Sequence, residues 1–486
     1  VEAERAAGGL GASAPVLRHW GIVGGPGARP AVFGAFVPPV AHAVPPAQLD
    51  PARAGPSGPS WLPDGLRALR HADYRLFFFS QLGSLTGTWL QSLAQSWLVL
   101  TLTNSPVQLG LIGVCQFGPS LLFGLPGGVL ADRLPKRKLL IATQSVIFAV
   151  TAALAVVVLL GRVELWHIYA AALSIGTVNA VDMPTRQAFV SEMVGKDDLM
   201  NAVALNSALF NATRIIGPAL AGVLLSTVGP ALCFAINAVT FLPVIAALAV
   251  MRTEGAPRGS GAGATSAWHR LREGLRYVAS TPAVLLPIVL VGFVATFGMN
   301  FNVWVPLLAR DALDIGAAGF GILMASLGVG SLAGALTLAF VGRKPHRRAM
   351  LLTACLFGGL EIALAVAVVA GVPLAGVIAL MAAVGFAMST TMAMANTTVQ
   401  TTAPDELRGR VMSVYTTVFF GSSPLGAAVA GGTAAVFGAA AALALGGSVA
   451  LAAALGVAAW GRRGGPADRH ARTASGSAPA PAARGR

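Results

Sequence analysis

Two long apolar runs, from about Val107 to Leu130 and from about Leu139 to Leu160, flank the stretch GVLADRLPKRK at 128–138. Each run could cross the roughly 30 Å apolar core of a bilayer, which takes about 20 helical residues. The stretch between them then reads as a tight turn at a membrane surface. Its one carboxylate, Asp132, is followed by Arg133, Lys136, Arg137 and Lys138, and short loops rich in Lys and Arg stay on the cytoplasmic side.

The rest of the chain agrees with lipid as its solvent. Of 486 residues, 55% are hydrophobic and 11% charged, with mean hydropathy +0.72; soluble domains carry about a quarter charged residues. Runs this long exclude barrel strands, so the expected class is an all-α membrane protein. The net charge of +14 does not mark a nucleic-acid partner. Nearly all of the cations lie in loops and tails, where they set topology and meet anionic lipid. Cys115, Cys233 and Cys355 sit inside apolar runs with no CxxC or Cys/His spacing, so neither a disulfide framework nor a metal site is expected.

Spacing predicts twelve transmembrane helices. Residues 1–64 read as a disordered extension without a cleavable signal, so the first span is expected to direct insertion. A six-helix set over 65–252 has spans near 76–102, 107–131, 137–161, 165–188, 199–227 and 230–251. A linker at 253–282 carries the amphipathic piece AWHRLREGLRYV. A second set over 283–460 has spans near 283–309, 316–341, 349–370, 373–400, 406–437 and 439–460, before a disordered tail at 461–486. Alternate loops hold almost all of the cations, and the opposite side holds only Arg162 and Arg310. That asymmetry places both termini in the cytoplasm, and a miscounted span would destroy it. The chain also repeats: GRKPHRR from Gly342 is a degenerate form of the basic turn, and KDDLMNAV at Lys196 is echoed by PDELRGRV at Pro404. Two parallel halves with a site between them fit alternating access.

Gly128, Asp132, Arg133, Lys136 and Arg137 resemble the loop signature of the major facilitator superfamily, with Pro135 at the usual position of a second Gly. From about Asp73 to Gly432 the chain is also similar to the subgroup containing the enterobactin exporter and macrolide-efflux-type proteins. YRLFFFSQLGSLTGTWLQSLAQSWLVLTLTNSP, NAVDMPTRQAFVSEMV and NTTVQTTAPDELRGRVMSVY carry that likeness. The resemblance implies a cytoplasmic gate in which Asp132 meets Arg186 and the start of span 11 at Arg408 and Arg410. The cations of the turn read either as part of that gate or as anchors to lipid headgroups. Asn179, Asp182 and Arg186 share a face at the end of span 4, a salt network near water.

By the same resemblance, spans 1, 4, 7 and 10 line the cavity. Thr88, Gln91 and Gln95 continue from Ser84 as a polar stripe, Asn300 and Trp304 share a face with Phe297, and Asn396 and Gln400 share one with Ser389. Uncharged hydrogen-bonders with aromatics suit an amphipathic organic molecule, although each could instead bond another helix. Span 5 carries Ser207, Asn211, Arg214 and Pro218 at helical spacing. Arg214, deep in that span, reads as a substrate or coupling site or as a packing cation satisfied by carbonyls. Glu361 is the one carboxylate well inside a span of the second half, either a proton carrier or a peripheral, hydrogen-bonded Glu.

These expectations describe a secondary transporter in the cell membrane, not an enzyme. It would export a hydrophobic or amphipathic small molecule in exchange for protons. The partners are that substrate, protons and lipid, with no nucleic acid and no cofactor, and the chain is expected to act as a monomer. No GxxxxGK[ST] loop occurs, so ATP is not the direct driver. An importer or facilitator of a small polar metabolite, or a membrane binding protein without flux, would share most of these features.

Overall fold

The structure is a computed structural model that describes residues 63–256, 264–341 and 347–463. Residues 1–62 of the extension and 464–486 of the tail expected to be disordered lie outside those residues, as does the middle of the linker, whereas Asp64 and 461–463 are helical. Among the described residues every regular element is helical.

A short 3-10 turn, Asp64–Arg70, leads into α1 (Ala72–Thr103), α2 (Pro106–Arg133) and α3 (Lys136–Leu159). The helix α4 (Leu165–Thr227) follows, then α5 (Pro230–Val250), α6 (Ala264–Ser280), α7 (Pro282–Phe293) and α8 (Phe301–Leu307). The last five are α9 (Gly316–Val341), α10 (Arg347–Val369), α11 (Leu374–Thr402), α12 (Arg408–Phe437) and α13 (Ala439–Arg463). Among the described residues nine helical segments are long and apolar enough to cross a membrane, with Pro282–Ala312 as one of them. Large apolar side chains point outward, Phe340 at 84% and Val369 at 77% exposure, as lipid-facing helices require.

Two places differ from the sequence expectation. Spans 4 and 5 are expected as separate rods, whereas α4 is continuous but for Gly195, whose φ of 70° and ψ of −176° turn the chain. A side chain there would be strained. Span 7 is expected as one helix, yet α7 widens into a π-helical turn at Val294–Gly298, breaks at Met299 and Asn300, and resumes as α8. Such turns leave carbonyls out of the regular ladder and allow the rod to bend.

Hydrogen bonds fix the entry to α1. The amide of Ala68 donates to Asn201 Oδ1 at 2.9 Å, and Arg67 pairs with Asp198 at 2.5 Å. Asp73 accepts from the amide and hydroxyl of Thr253 at 2.8 and 2.7 Å, joining the start of α1 to the end of α5. Behind these bonds Tyr74, Phe77, Phe189 and Leu248 form a small buried cluster. The larger core joins helices from both sides of α6, among them Leu93, Phe234, Trp304 and Phe320.

Candidate functional site

Between α1 and α2 on one side and α8 and α12 on the other lies a chamber of about 140 Å³. Ser92, Gln95, Ser96, Gln116, Asn300, Asn302 and Ser423 supply its polar groups, and Phe117 and Phe419 its aromatic faces. The break in the span-7 segment builds one wall. Asn300 stands where the helix stops, with its Nδ2 donating back to the Thr296 carbonyl at 2.8 Å. Two buried atoms in the lining have no hydrogen-bond partner, Gln95 Nε2, a donor, and Asn302 Oδ1, an acceptor. Buried polar atoms are normally bonded. These two are groups that a guest or water can satisfy.

Of the residues expected in a cavity, the structure places Gln95 and Asn300 in this chamber. Thr88, two turns away on α1, is exposed and donates to the Ser84 carbonyl at 2.8 Å. Gln91 is turned elsewhere. Its Oε1 accepts from Thr151 at 3.3 Å and Asn237 at 2.5 Å, tying α1 to α3 and α5. Trp304 is only 1% exposed and packs edge-on to Phe301 and against Gly446 of α13, so its ring fills a helix seam outside the chamber lining. Asn396 accepts from Gln400 Nε2 at 2.6 Å along α11, outside the chamber lining. Asn211 bonds its own helix through the Ser207 carbonyl at 2.8 Å. Arg214 is partly exposed. Glu361 is fully buried, with both carboxyl oxygens unbonded, against Gly298 of the π-turn and Gly447 of α13.

The expected gate residues bond within their own neighbourhoods. Asp182 accepts from Thr143 at 2.7 Å, Gln144 at 2.8 Å and Arg186 at 2.6 Å, and Arg186 also donates to Gln81 of α1. Arg186 is therefore engaged by Asp182 and Gln81, where the resemblance pairs it with Asp132. Lys136, fully buried, bonds Glu192 at 2.8 Å and the Ala256 carbonyl at 2.7 Å. Arg137 donates to the carbonyls of Leu248 and Ala249, closing the end of α5 as a cation at a helix C-terminus does. Arg133 and Asp132 end α2, and Gly128 faces open space. Beyond α6, Arg408 pairs with Asp405, and Arg410 pairs with Glu273 of α6. None of these bonds joins the helices before α6 to those after it. The physical reason is proximity, since Lys136, Arg137, Arg186, Arg408 and Arg410 each find a carboxylate or a helix-end carbonyl nearby.

At the opposite end the two groups of helices do meet. Arg310 donates to the Leu100 carbonyl at 2.9 Å and to Asn104, the left-handed cap of α1. Trp97 stacks on Phe320 at 6.1 Å. Backbones approach closely at Gly110 and Gly431, and again at Gly222 and Gly321.

Comparison with known proteins places this architecture. The family model described as Transmembrane secretion effector, a family of the major facilitator superfamily, matches residues 64–479. The chain belongs to that family. It is a membrane transporter of the superfamily and not an enzyme. The multidrug efflux pump Tap of Mycolicibacterium fortuitum is 31% identical over 366 residues, covering 73% of this chain and 88% of Tap. The enterobactin exporter EntS of Salmonella typhimurium is 27% identical over 375 residues, covering 77% and 88%. Two solved structures share the fold at low identity. The POT family transporter PepTSo has a TM-score of 0.64 at 14% identity, covering 81% of this chain and 98% of its own. A D-xylose-proton symporter has a TM-score of 0.61 at 16% identity, covering 80% and 97%.

In this transporter the chamber includes residues that sequence reasoning missed. Gln116 and Ser423 fall outside the expectation because only spans 1, 4, 7 and 10 were expected to line a cavity, whereas α2 and α12 also contribute; Ser92, Ser96 and Asn302 lie on expected spans 1 and 7, beside the faces singled out there. Gln116 carried a signal, as an amide in the middle of an apolar run. Arg310 carried another, as one of two cations on a side otherwise emptied of them.

Proposed function

We propose that this transporter exports a hydrophobic or amphipathic small molecule across the cell membrane by alternating access, in exchange for protons. The observation that carries the reading is the chamber itself. It lies between the helices before and after α6, and it presents a free amide donor and a free amide acceptor beside aromatic faces. That combination orients an amphipathic guest without demanding one shape. At about 140 Å³ the chamber is too small for a drug-sized molecule, so the helix sets must move apart to admit one, as alternating access requires.

Counting α4 as two spans parted at Gly195, and adding α1 and α12 to the other long helices, gives twelve. They would form two six-helix sets, over 65–252 and 283–460, with both termini on the cytoplasmic side where the cations gather. Contacts at the Asn104 end, together with Lys136 and Arg186 bonded among the helices before α6, suit a state closed outward and poised to open inward. The names of two relatives, a multidrug efflux pump and an enterobactin exporter, support an organic substrate moved outward.

The test is transport by everted membrane vesicles from cells with and without the protein, across a panel of amphipathic compounds. Accumulation that depends on the protein and stops when the proton gradient is collapsed is the expected result. Accumulation that persists after collapse would remove the proton exchange, and protein-dependent flux in the other direction would remove export.

A further inference from the structure

The middle of the helix assembly holds a cation without a counter-charge. Arg214 lies on α4 beyond the Gly195 turn, and its own carbonyl packs against Gly328, near the midpoint of α9. Its depth is therefore that of the bilayer centre. Its direction follows from the contacts of its neighbours. Phe210 and Gly217 meet Trp89 of α1, while Ile215 and Gly222 meet α9 at Gly328 and Gly321. At 100° per residue, Arg214 falls between these two faces and points inward through the wedge between α1 and α9. The outer face of the same stretch is Ile216, Leu220 and Val223, all exposed as lipid-facing residues are.

An arginine at this depth is costly unless something bonds it. Among the described residues Arg214 makes no hydrogen bond and no ion pair, so the reading in which carbonyls satisfy a packing cation finds no support. The carboxylates nearest in kind are committed or closed off. Asp182, on the same helix, already accepts from Thr143, Gln144 and Arg186. Glu361 is sealed against Gly298 and Gly447. The guanidinium is thus a fixed, partly accessible positive charge with five donors and no acceptor of its own, which is the chemistry that recognises a carboxylate or another oxyanion.

We propose that Arg214 is the charge-recognition point of the substrate path and that the transported compound is an amphipathic anion, its oxyanion group bonded by this guanidinium. The proposal rests on the export reading above and adds the substrate class to it. An anion would neutralise the buried cation as it enters, and a neutral analogue of the same shape would leave it uncompensated.

The test uses the full chain, purified and reconstituted in proteoliposomes, with a panel of fluorescent amphipathic carboxylates, pyrenebutyric acid among them, each paired with its neutral ethyl ester. Wild-type protein is expected to bind and move the acids at least about ten-fold better than the esters, as a charge-assisted bond warrants. Arg214→Gln is expected to bring the acid-to-ester ratio close to one, and Arg214→Lys to keep part of the preference. A single symmetric peak in size-exclusion chromatography separates folded variants from misfolded ones, and Arg214→Lys retains the charge should the Gln variant fail. Equal handling of acids and esters by wild type would leave export standing and overturn the anion assignment. An equal loss of both in Arg214→Gln and Arg214→Lys would make the residue structural and overturn it also. Transport of neither form would overturn the export reading and this one with it.

Discussion

Gly222 and Gly321 stand backbone to backbone where α4 crosses α9, so close that a Cβ on Gly321 would lie 2.7 Å from both the Gly222 amide nitrogen and the Pro218 carbonyl oxygen. Small residues allow such an approach in lipid, where packing replaces the hydrophobic drive between helices. Gly321→Ala must push the helices apart, costing about 1–3 kcal/mol as overpacking does. Thermal unfolding in detergent should show a lower midpoint. Gly432→Ala is the control, because nothing lies within 4 Å of the corresponding position, and relief of glycine's backbone freedom should stabilise it by about 0.5–1 kcal/mol. Equal midpoints for the two variants would refute close packing at the crossing.

Asp182 gathers α3 and α4 around one buried carboxylate. Removal by Asp182→Ala takes the shared acceptor from Thr143, Gln144 and Arg186, although Thr143 keeps the Leu140 carbonyl at 3.0 Å and Arg186, at 25% exposure, can turn toward water. The expected loss is about 2–3 kcal/mol, below the value for a fully enclosed pair. Asp182→Asn keeps one acceptor oxygen and should lose roughly half as much. If both variants unfold at the wild-type temperature, the carboxylate is not holding these helices together.

The rods were legible because apolar length is a one-dimensional signal. Orientation of side chains was not. Gln91 and Gln95 lie one turn apart on the same polar stripe, yet one bonds α3 and α5 while the other faces the chamber. Only the positions of neighbouring helices separate them. The span-7 break was equally hidden, since VATFGMN contains no proline, and the close approach of Gly298 to Phe357 and Glu361 involves a helix far off in the chain. Lys136 shows the same limit. A signature lysine on a basic turn reads as surface, but the structure buries it completely.

That burial gives Lys136 a task which can be measured. Its ammonium holds Glu192 and the Ala256 carbonyl, and its amide donates to the Gly255 carbonyl at 3.1 Å, where φ of 71° requires glycine. Lys136→Met fills the space and removes the bonds. Glu192, at 26% exposure, can hydrate, so the loss should be about 2 kcal/mol rather than that of an enclosed pair. Limited proteolysis should then cut faster just after Ala256. Unchanged cleavage there would mean that Lys136 does not clamp the chain as it leaves α5.

Arg310 offers the most direct access to the transport cycle, because its bonds to Leu100 and Asn104 join α1 to the segment that follows α8. Arg310→Ala deletes both bonds at the end of the molecule where the helix sets are closed. Two hydrogen bonds from a charged donor, discounted for an exposed rim, amount to about 2 kcal/mol, a shift of roughly 30-fold in a two-state equilibrium. The chamber should open toward that end more often. Ser92→Cys, in a background with Cys115, Cys233 and Cys355 replaced, reports this through its rate of labelling by an impermeant maleimide added from outside. Faster labelling with Arg310→Ala is the expected outcome. A rate unchanged by loss of the arginine would show that the seal is carried by the glycine crossings and the Trp97–Phe320 stack instead.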